Sequence, residues 1–387
     1  MTSYPLASTT WTGGELDALV AVARTGQLTM GAEVEAFEKD FAGYFGTKHA
    51  VMANSGSSAN LLAIASLRYH SRFRLEPGDE VIVPAVSWST TYFPVHQYGL
   101  RLVFVDVEPG SLTLDVQQVA AAITDRTRAV FAVNLLGSAA DYDRLERLCE
   151  ENGILIIEDN CESMGATHRG RFTGSIGMCG TFSMFFSHHI NTMEGGVVIT
   201  NDDEMRDLMV SLRAHGWTRG LAMDNTIADK SPDPFLESFR FILPGYNLRP
   251  LELSAAVGRI QLPKLSDFVE VRRANAKIFQ DLFQDCPDIE LQQPHGESSW
   301  FGFSMLLSGS LRGRRKELVE RLTENGVECR PIVSGNFVRN PVMKFLDHRI
   351  HGDLSNADWI HEDGLFVGNH HFDITTQLEH LRSLLDR

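Results

Sequence analysis

No lysine lies between Lys48 and Lys230. Within that span a bound carbonyl compound finds no side-chain amine with which to form a Schiff base. Cysteine is also scarce. The five residues Cys149, Cys161, Cys179, Cys286 and Cys329 are odd in number and widely spaced, with no C-x-C or C-x-x-C. That spacing argues against a disulfide framework, a zinc site and an iron–sulfur cluster, and it suits reduced, mostly buried thiols in the cytoplasm. No apolar run approaches the roughly 20 residues of a membrane span. The opening "MTSYPLASTTWTGGELDAL" has no basic region followed by a long apolar one, so no signal peptide is expected. Positive charge is in deficit, with 35 Lys and Arg against 50 Asp and Glu and a net charge of −15. Such a balance excludes a general binder of nucleic acid or anionic membrane. A phosphate ester would have to be held locally, by backbone N–H groups and a few arginines.

A chain of 387 residues is long enough for two hydrophobic cores. The first 285 residues alternate Val- and Ile-rich runs of strand length (80–86, 100–107, 128–137, 154–160) with amphipathic helical stretches (56–69, 111–123, 142–152). Leu61, Leu62, Ile64 and Leu67 form an apolar stripe on the first of these helices. This alternation predicts an α/β fold with a mostly parallel sheet covered on both faces. From residue 286 the rhythm changes. "WFGFSMLL" (300–307), "RKELVERLTENG" (315–326) and the terminal 373–387 read as a small α+β domain. The division is therefore a large domain over 1–285 and a small one over 286–387. The Pro-, Asp- and Asn-rich stretch 218–235 reads as a long loop, functional or mobile.

Four segments fall where an open α/β sheet places its ligand, at the carboxyl ends of strands. "NSGSSAN" (54–60) puts Gly56 and Ser57 just before a helix, where N–H groups and short hydroxyls suit a phosphate. An ordinary turn and N-cap explains the same residues. "PAVSWSTTY" (84–92) offers Trp88 as a flat ring for a planar heterocycle, or equally as a core residue. "IIEDNCES" (156–163) ends a strand in Glu158 and Asp159, with Glu162 three residues on. A carboxylate there can keep a pyridine nitrogen protonated, while Glu158 equally suits a cap. "CGTFSMFFSHHINTMEGGVVIT" (179–200) adds the hydroxyl of Ser183 and the adjacent His188 and His189.

Taken in order, "SGSSAN", "PAVSWSTTY", "EDNCESMGA", "TFSMFFSHHINTMEGG" and "LPGYNLRPLELSAAVGRIQLPKL" resemble the sugar aminotransferase family of the aspartate aminotransferase fold (pyridoxal-phosphate fold type I). That family acts on nucleotide-linked keto-sugars, and the resemblance spans nearly the whole chain. It implies pyridoxal 5′-phosphate and pyridoxamine 5′-phosphate as cofactor. Gly56, Ser57 and Ser183 would hold the phosphate, with Asn247 of "GYNLRP" reaching in from the partner of a homodimer. Trp88 would cover the ring, Asp159 would pair with its nitrogen, and Glu162 would contact its hydroxyl. Family members usually carry glutamine or histidine at that last position.

The departure is at His188, where the family places its cofactor-anchoring lysine. "SHHINTMEGG" is similar to the family's dehydratase branch, which removes a sugar hydroxyl instead of installing an amine. This implies a GDP-linked 4-keto-6-deoxy-D-mannose and L-glutamate as substrates, loss of the C3 hydroxyl, and release of ammonia. Imidazole, titrating near pH 6.5 when unperturbed, keeps the proton-shuttling role without the covalent anchor. The branch's iron–sulfur type is disfavoured by the missing C-x-C. Ser187, His215, Arg219 and Arg330 are the candidates for contacting the sugar and diphosphate; arginine suits phosphate because its planar fork donates in pairs. The rival readings are an aminotransferase with an unusual base and a ligand-binding sensor that has lost catalysis.

Overall fold

The computed structural model describes residues 3–385. Eight strands form the main sheet in the spatial order His49–Ala53, Gly196–Thr200, Cys179–Ser183, Leu155–Asp159, Thr127–Val133, Glu80–Pro84, Arg101–Val105 and His348–Ile350. From Cys179–Ser183 to His348–Ile350 every neighbouring pair is parallel; the first two strands join antiparallel. All five residues of Glu80–Pro84 are buried. Val81 and Val83 face one apolar layer with Ile64 and Leu67 of helix Gly56–Tyr69, whereas Ile82 faces the other with Val119 and Leu145. Burial on both faces is what makes these strands read as continuous apolar runs. On the first helix Leu62, Ile64 and Leu67 are buried and Leu61 is half-buried.

Helix Val116–Ala122 is shorter than the 111–123 pattern suggests. Asp115 caps it by accepting from the Gln117 N–H, and Leu114 bridges back to Val107, so residues 111–114 are spent on a turn. Stretch 218–235 is without helix or strand until the short helix Pro234–Glu237.

The second sheet is antiparallel, in the order Ile289–Leu291, Gly302–Leu307, Gly364–Gly368, Cys329–Arg330. Its core takes in Phe279 and Phe283 of helix Leu265–Phe283 and also Tyr4, whose hydroxyl donates to the Gly368 carbonyl at 2.5 Å. Strand His348–Ile350 runs the other way across the division, pairing with Arg101–Val105. Chain thus crosses the 285/286 boundary from both sides, which draws the small sheet against the edge where the large sheet's parallel strands end.

Candidate active site

At that edge the turn after His49–Ala53 enters helix Gly56–Tyr69, with Ser55 Oγ capping it by accepting from the Ser58 N–H at 3.1 Å. The helix end sits tight against the sheet. A Cβ on Gly56 would lie 2.4 Å from Ser183 Cβ, and one on Gly196 would lie 2.1 Å from the Ser55 carbonyl oxygen. Only glycine permits that approach. The N–H groups of Gly56 and Ser57 find no backbone acceptor among the described residues. They open at the positive end of the helix dipole, beside the Ser183 hydroxyl, a donor set suited to a phosphate.

Gly56, Ser57, Trp88, Asp159, Glu162, Ser183, Ser187 and His188 all border one cavity of about 410 Å³. That volume is in the range of about 300–1,000 Å³ usual for small-molecule sites. Trp88 is 58% exposed, so it is a cavity wall and not a core residue. The two acids at the end of Leu155–Asp159 part company. Glu158 is fully buried and accepts from the N–H groups of Gly174, Ile176 and Gly177 and from the Tyr142 hydroxyl. It ties down the 174–177 loop and takes no part in the cavity. Asp159 faces the cavity, accepting from Asn60, Thr91 and the Cys161 N–H. Glu162 accepts from the Leu136 N–H at 3.2 Å; burial, reinforced by the neighbouring Asp159 charge, pushes its carboxyl up to about 7.

His188 is held edge-on to two aromatic rings, Phe185 and Phe301, with centroids at 6.0 and 5.4 Å. Its Nδ1 lies 3.1 Å from the Ser183 carbonyl oxygen. A carbonyl only accepts, so Nδ1 carries the proton and Nε2 keeps a lone pair. Burial, helped by the buried guanidinium of Arg272, drives the imidazole down to about 4 against the opposing pull of the Ser183 carbonyl and Asp159. His188 is therefore neutral at physiological pH, a base ready for a proton. His189 points elsewhere: fully buried, its Nε2 donates to the Ser299 carbonyl at 3.1 Å, so it ties the segment before strand Gly302–Leu307 to the site.

His215, Arg219, Asn247 and Arg330 do not border this cavity. His215 and Asn247 lie together, since Ala214 bridges Asn247 and the His215 N–H donates to the Tyr246 carbonyl. Arg219 lines a separate groove with Lys39, Lys48 and Arg249. Arg330 is exposed on the small sheet, beside a shallow depression with Arg315 and Lys316. Conversely, Leu6, Ala7, Phe301, Val333 and Phe366 complete the cavity walls from both chain ends. Nothing local in the sequence marks these five, because tertiary folding alone brings them to the site. Among the described residues no group of three or more His, Cys, Asp or Glu could hold a metal.

Residues 11–379 match the DegT/DnrJ/EryC1/StrS aminotransferase family. The chain belongs to this family. It is 52% identical to the GDP-4-keto-6-deoxy-D-mannose 3-dehydratase of Yersinia pseudotuberculosis, over 100% of this chain and 99% of that one. The solved Escherichia coli GDP-4-keto-6-deoxy-D-mannose-3-dehydratase with bound hydrated PLP is 49% identical over the full length of both chains, with a TM-score of 0.97. A second structure of such a dehydratase, with a trapped PLP–glutamate geminal diamine, matches at the same identity and TM-score over 99% of this chain and 100% of that one. The α/β fold and the pyridoxal-phosphate cofactor expected from the sequence motifs agree with these likenesses.

Proposed function

We propose that the protein removes the C3 hydroxyl of GDP-4-keto-6-deoxy-D-mannose, giving a GDP-4-keto-3,6-dideoxy sugar, with L-glutamate as amino donor and ammonia as by-product. The observation that carries this reading is His188: at the position of the family's anchoring lysine stands a neutral imidazole with Nδ1 tied down and Nε2 free of protein partners among the described residues.

The residues present fit pyridoxal 5′-phosphate. The Gly56 cradle, which a Cβ would fill, and the unpaired N–H groups beside Ser183 suit its phosphate. Trp88, Asp159 and Glu162 border the same cavity, and in this reading they would cover a ring face, pair with the ring nitrogen and meet the ring hydroxyl. When bound, the cofactor supplies an electron sink and, in its pyridoxamine form, the amine that condenses with the sugar ketone.

His188 Nε2 receives a proton and, as imidazolium, returns it to the departing C3 oxygen. An imidazole whose environment holds it near 4 is a ready donor once charged. Phe185 and Phe301, packed nearly perpendicular to it, keep the ring from turning. The two electrons that replace C3–OH by C3–H come from glutamate, which leaves as the 2-oxo acid, its nitrogen released as ammonia. No amine stays on the sugar.

The reading extends to a homodimer in the cytoplasm. Five free cysteines suit a reducing compartment. The segment around Asn247 carries Phe235, Leu236, Phe239 and Phe241 as exposed large apolar side chains, a patch suited to a second copy. His215, Arg219 and Asn247, remote from their own cavity, would then serve the partner's site as substrate and phosphate contacts, with Ser187 acting within its own. Arg330 remains a candidate for the diphosphate.

The test is mass spectrometry of the sugar product formed from the GDP-linked substrate, pyridoxal phosphate and glutamate. A keto-sugar lighter by one oxygen is expected. An unchanged sugar would favour a sensor, and an amino sugar an aminotransferase.

A further inference from the structure

The two oxygens of Asp159 have unequal surroundings. Oδ2 accepts from Asn60 Nδ2 at 2.8 Å and from Thr91 Oγ1 at 2.9 Å, whereas Oδ1 accepts from the Cys161 N–H at 3.1 Å. A carboxylate offers about four lone-pair sites. The N–H and O–H donors take two sites on Oδ2 and one on Oδ1, and Asp159 borders the cavity together with the Cys161 thiol, a weak donor that also lies against its carboxylate.

The two side-chain donors are themselves fixed. Asn60 is fully buried and gives its other amide hydrogen to the Thr90 carbonyl at 3.3 Å, while its oxygen accepts from Thr181 Oγ1 at 2.6 Å. Every partner agrees on one orientation of the amide. Thr91, also fully buried, spends its single hydroxyl hydrogen on Asp159. Ser87 Oγ, 2.9 Å away, must therefore donate to Thr91, giving a chain Ser87→Thr91→Asp159. Helices Gly56–Tyr69 and Ser89–Gln97 each contribute one donor from behind the strand end.

We propose that Asn60 and Thr91 are positioning residues for the cofactor: they commit Asp159 Oδ2 to the protein, leave Oδ1 as the acceptor for the ring N–H, and keep the shared proton on the ring nitrogen. The inference rests on the reading of Asp159 as the ring-nitrogen partner. Hydrogen bonds donated to a carboxylate favour its charged form. With both donors in place the pair is a pyridinium and a carboxylate. Stripped of them in a dry site, the carboxylate draws the proton onto itself, and the ring becomes a poorer electron sink.

The experiment is solid-state 15N NMR of the holoenzyme loaded with pyridoxal phosphate labelled at the ring nitrogen, at neutral pH, with cofactor dissociation constants measured on the same proteins. Thr91→Val removes the hydroxyl at constant shape, Thr91→Ser keeps it, and Asn60→Ala removes the second donor. Thr91→Val and Asn60→Ala are expected to move the resonance from the pyridinium toward the neutral position and weaken binding about tenfold, and Thr91→Ser to restore both. Asp159→Asn is the control. If it gives a neutral ring while Thr91→Val and Asn60→Ala stay pyridinium, the positioning role is wrong and the Asp159 reading stands. If Asp159→Asn itself leaves a pyridinium, both fall.

Discussion

The imidazole of His188 donates from Nδ1 to the carbonyl of Ser183, five residues earlier and 3.1 Å away, so the residue proposed to give its hydroxyl to the phosphate also sets the tautomer of the proposed base. Ser183 ends its strand with its side chain beside Gly56 and its carbonyl toward the histidine. On the proposed function, one backbone unit would thus position both the cofactor phosphate and the proton-transfer group.

Removing the imidazole should stop chemistry and spare binding. His188→Asn is expected to lower turnover by about 10²–10⁴-fold, the usual worth of a positioned acid–base group, while cofactor affinity changes little. Steady-state kinetics beside an absorbance titration of the cofactor checks this. Loss of affinity with unchanged turnover per bound cofactor would contradict it.

Gly56→Ala should damage the phosphate cradle. Its Cβ would fall 2.4 Å from Ser183 Cβ, an overlap relieved only by moving the helix end. A cost of about 1–3 kcal/mol in stability is expected, as for overpacked cores, together with weaker cofactor binding. Adding Ser183→Gly removes the struck atom, and denaturant unfolding of the double variant should recover most of the stability.

Glu162 should make the cofactor-free protein less stable in alkali. Its folded-state value, about 7, lies above the ordinary 4.5, so the folded protein holds that proton more tightly than the unfolded chain. The stabilisation is fully present below pH 4.5 and is lost as pH rises through 7. Glu162→Gln, which cannot ionise, is therefore expected to gain on the order of 3 kcal/mol over the parent at pH 8, and next to nothing at pH 4. Equal gains at both pH values in urea unfolding would contradict the assignment.

The aromatic patch should hold two copies together. Phe235 and Phe239 are 83% and 72% exposed, a poor arrangement for an isolated chain. Phe239→Asp is expected to shift sedimentation from dimer toward monomer and to reduce activity in proportion. A parent protein that sediments as a monomer with full activity would remove both the dimer and the shared role of Asn247.

Much of the site was legible in the sequence, because an open parallel sheet gathers ligands at its strand ends. Asp159 and Ser183 end strands, and Trp88 and Gly56 sit just beyond them, so periodicity and punctuation located all four. His188 stood out by what it replaced. Asn60 and Thr91 lay inside the quoted motifs unassigned, since a buried amide or hydroxyl shows its purpose only through its partner. Phe301 and Val333 were invisible for a different reason: they reach the cavity through the packing of the small sheet. Glu158 and Asp159, adjacent carboxylates, are separated by the strand's alternation, which turns one into the 174–177 loop and the other into the cavity.

On the proposed function, nitrogen enters the reaction but does not stay on the sugar. The most direct measurement follows 15N from labelled L-glutamate during turnover of the GDP-linked 4-keto-6-deoxy sugar, by NMR of the reaction mixture. The label should appear as free ammonium, in step with loss of the C3 oxygen. Label retained on the sugar carbon would contradict the dehydratase and leave an aminotransferase that works without its lysine.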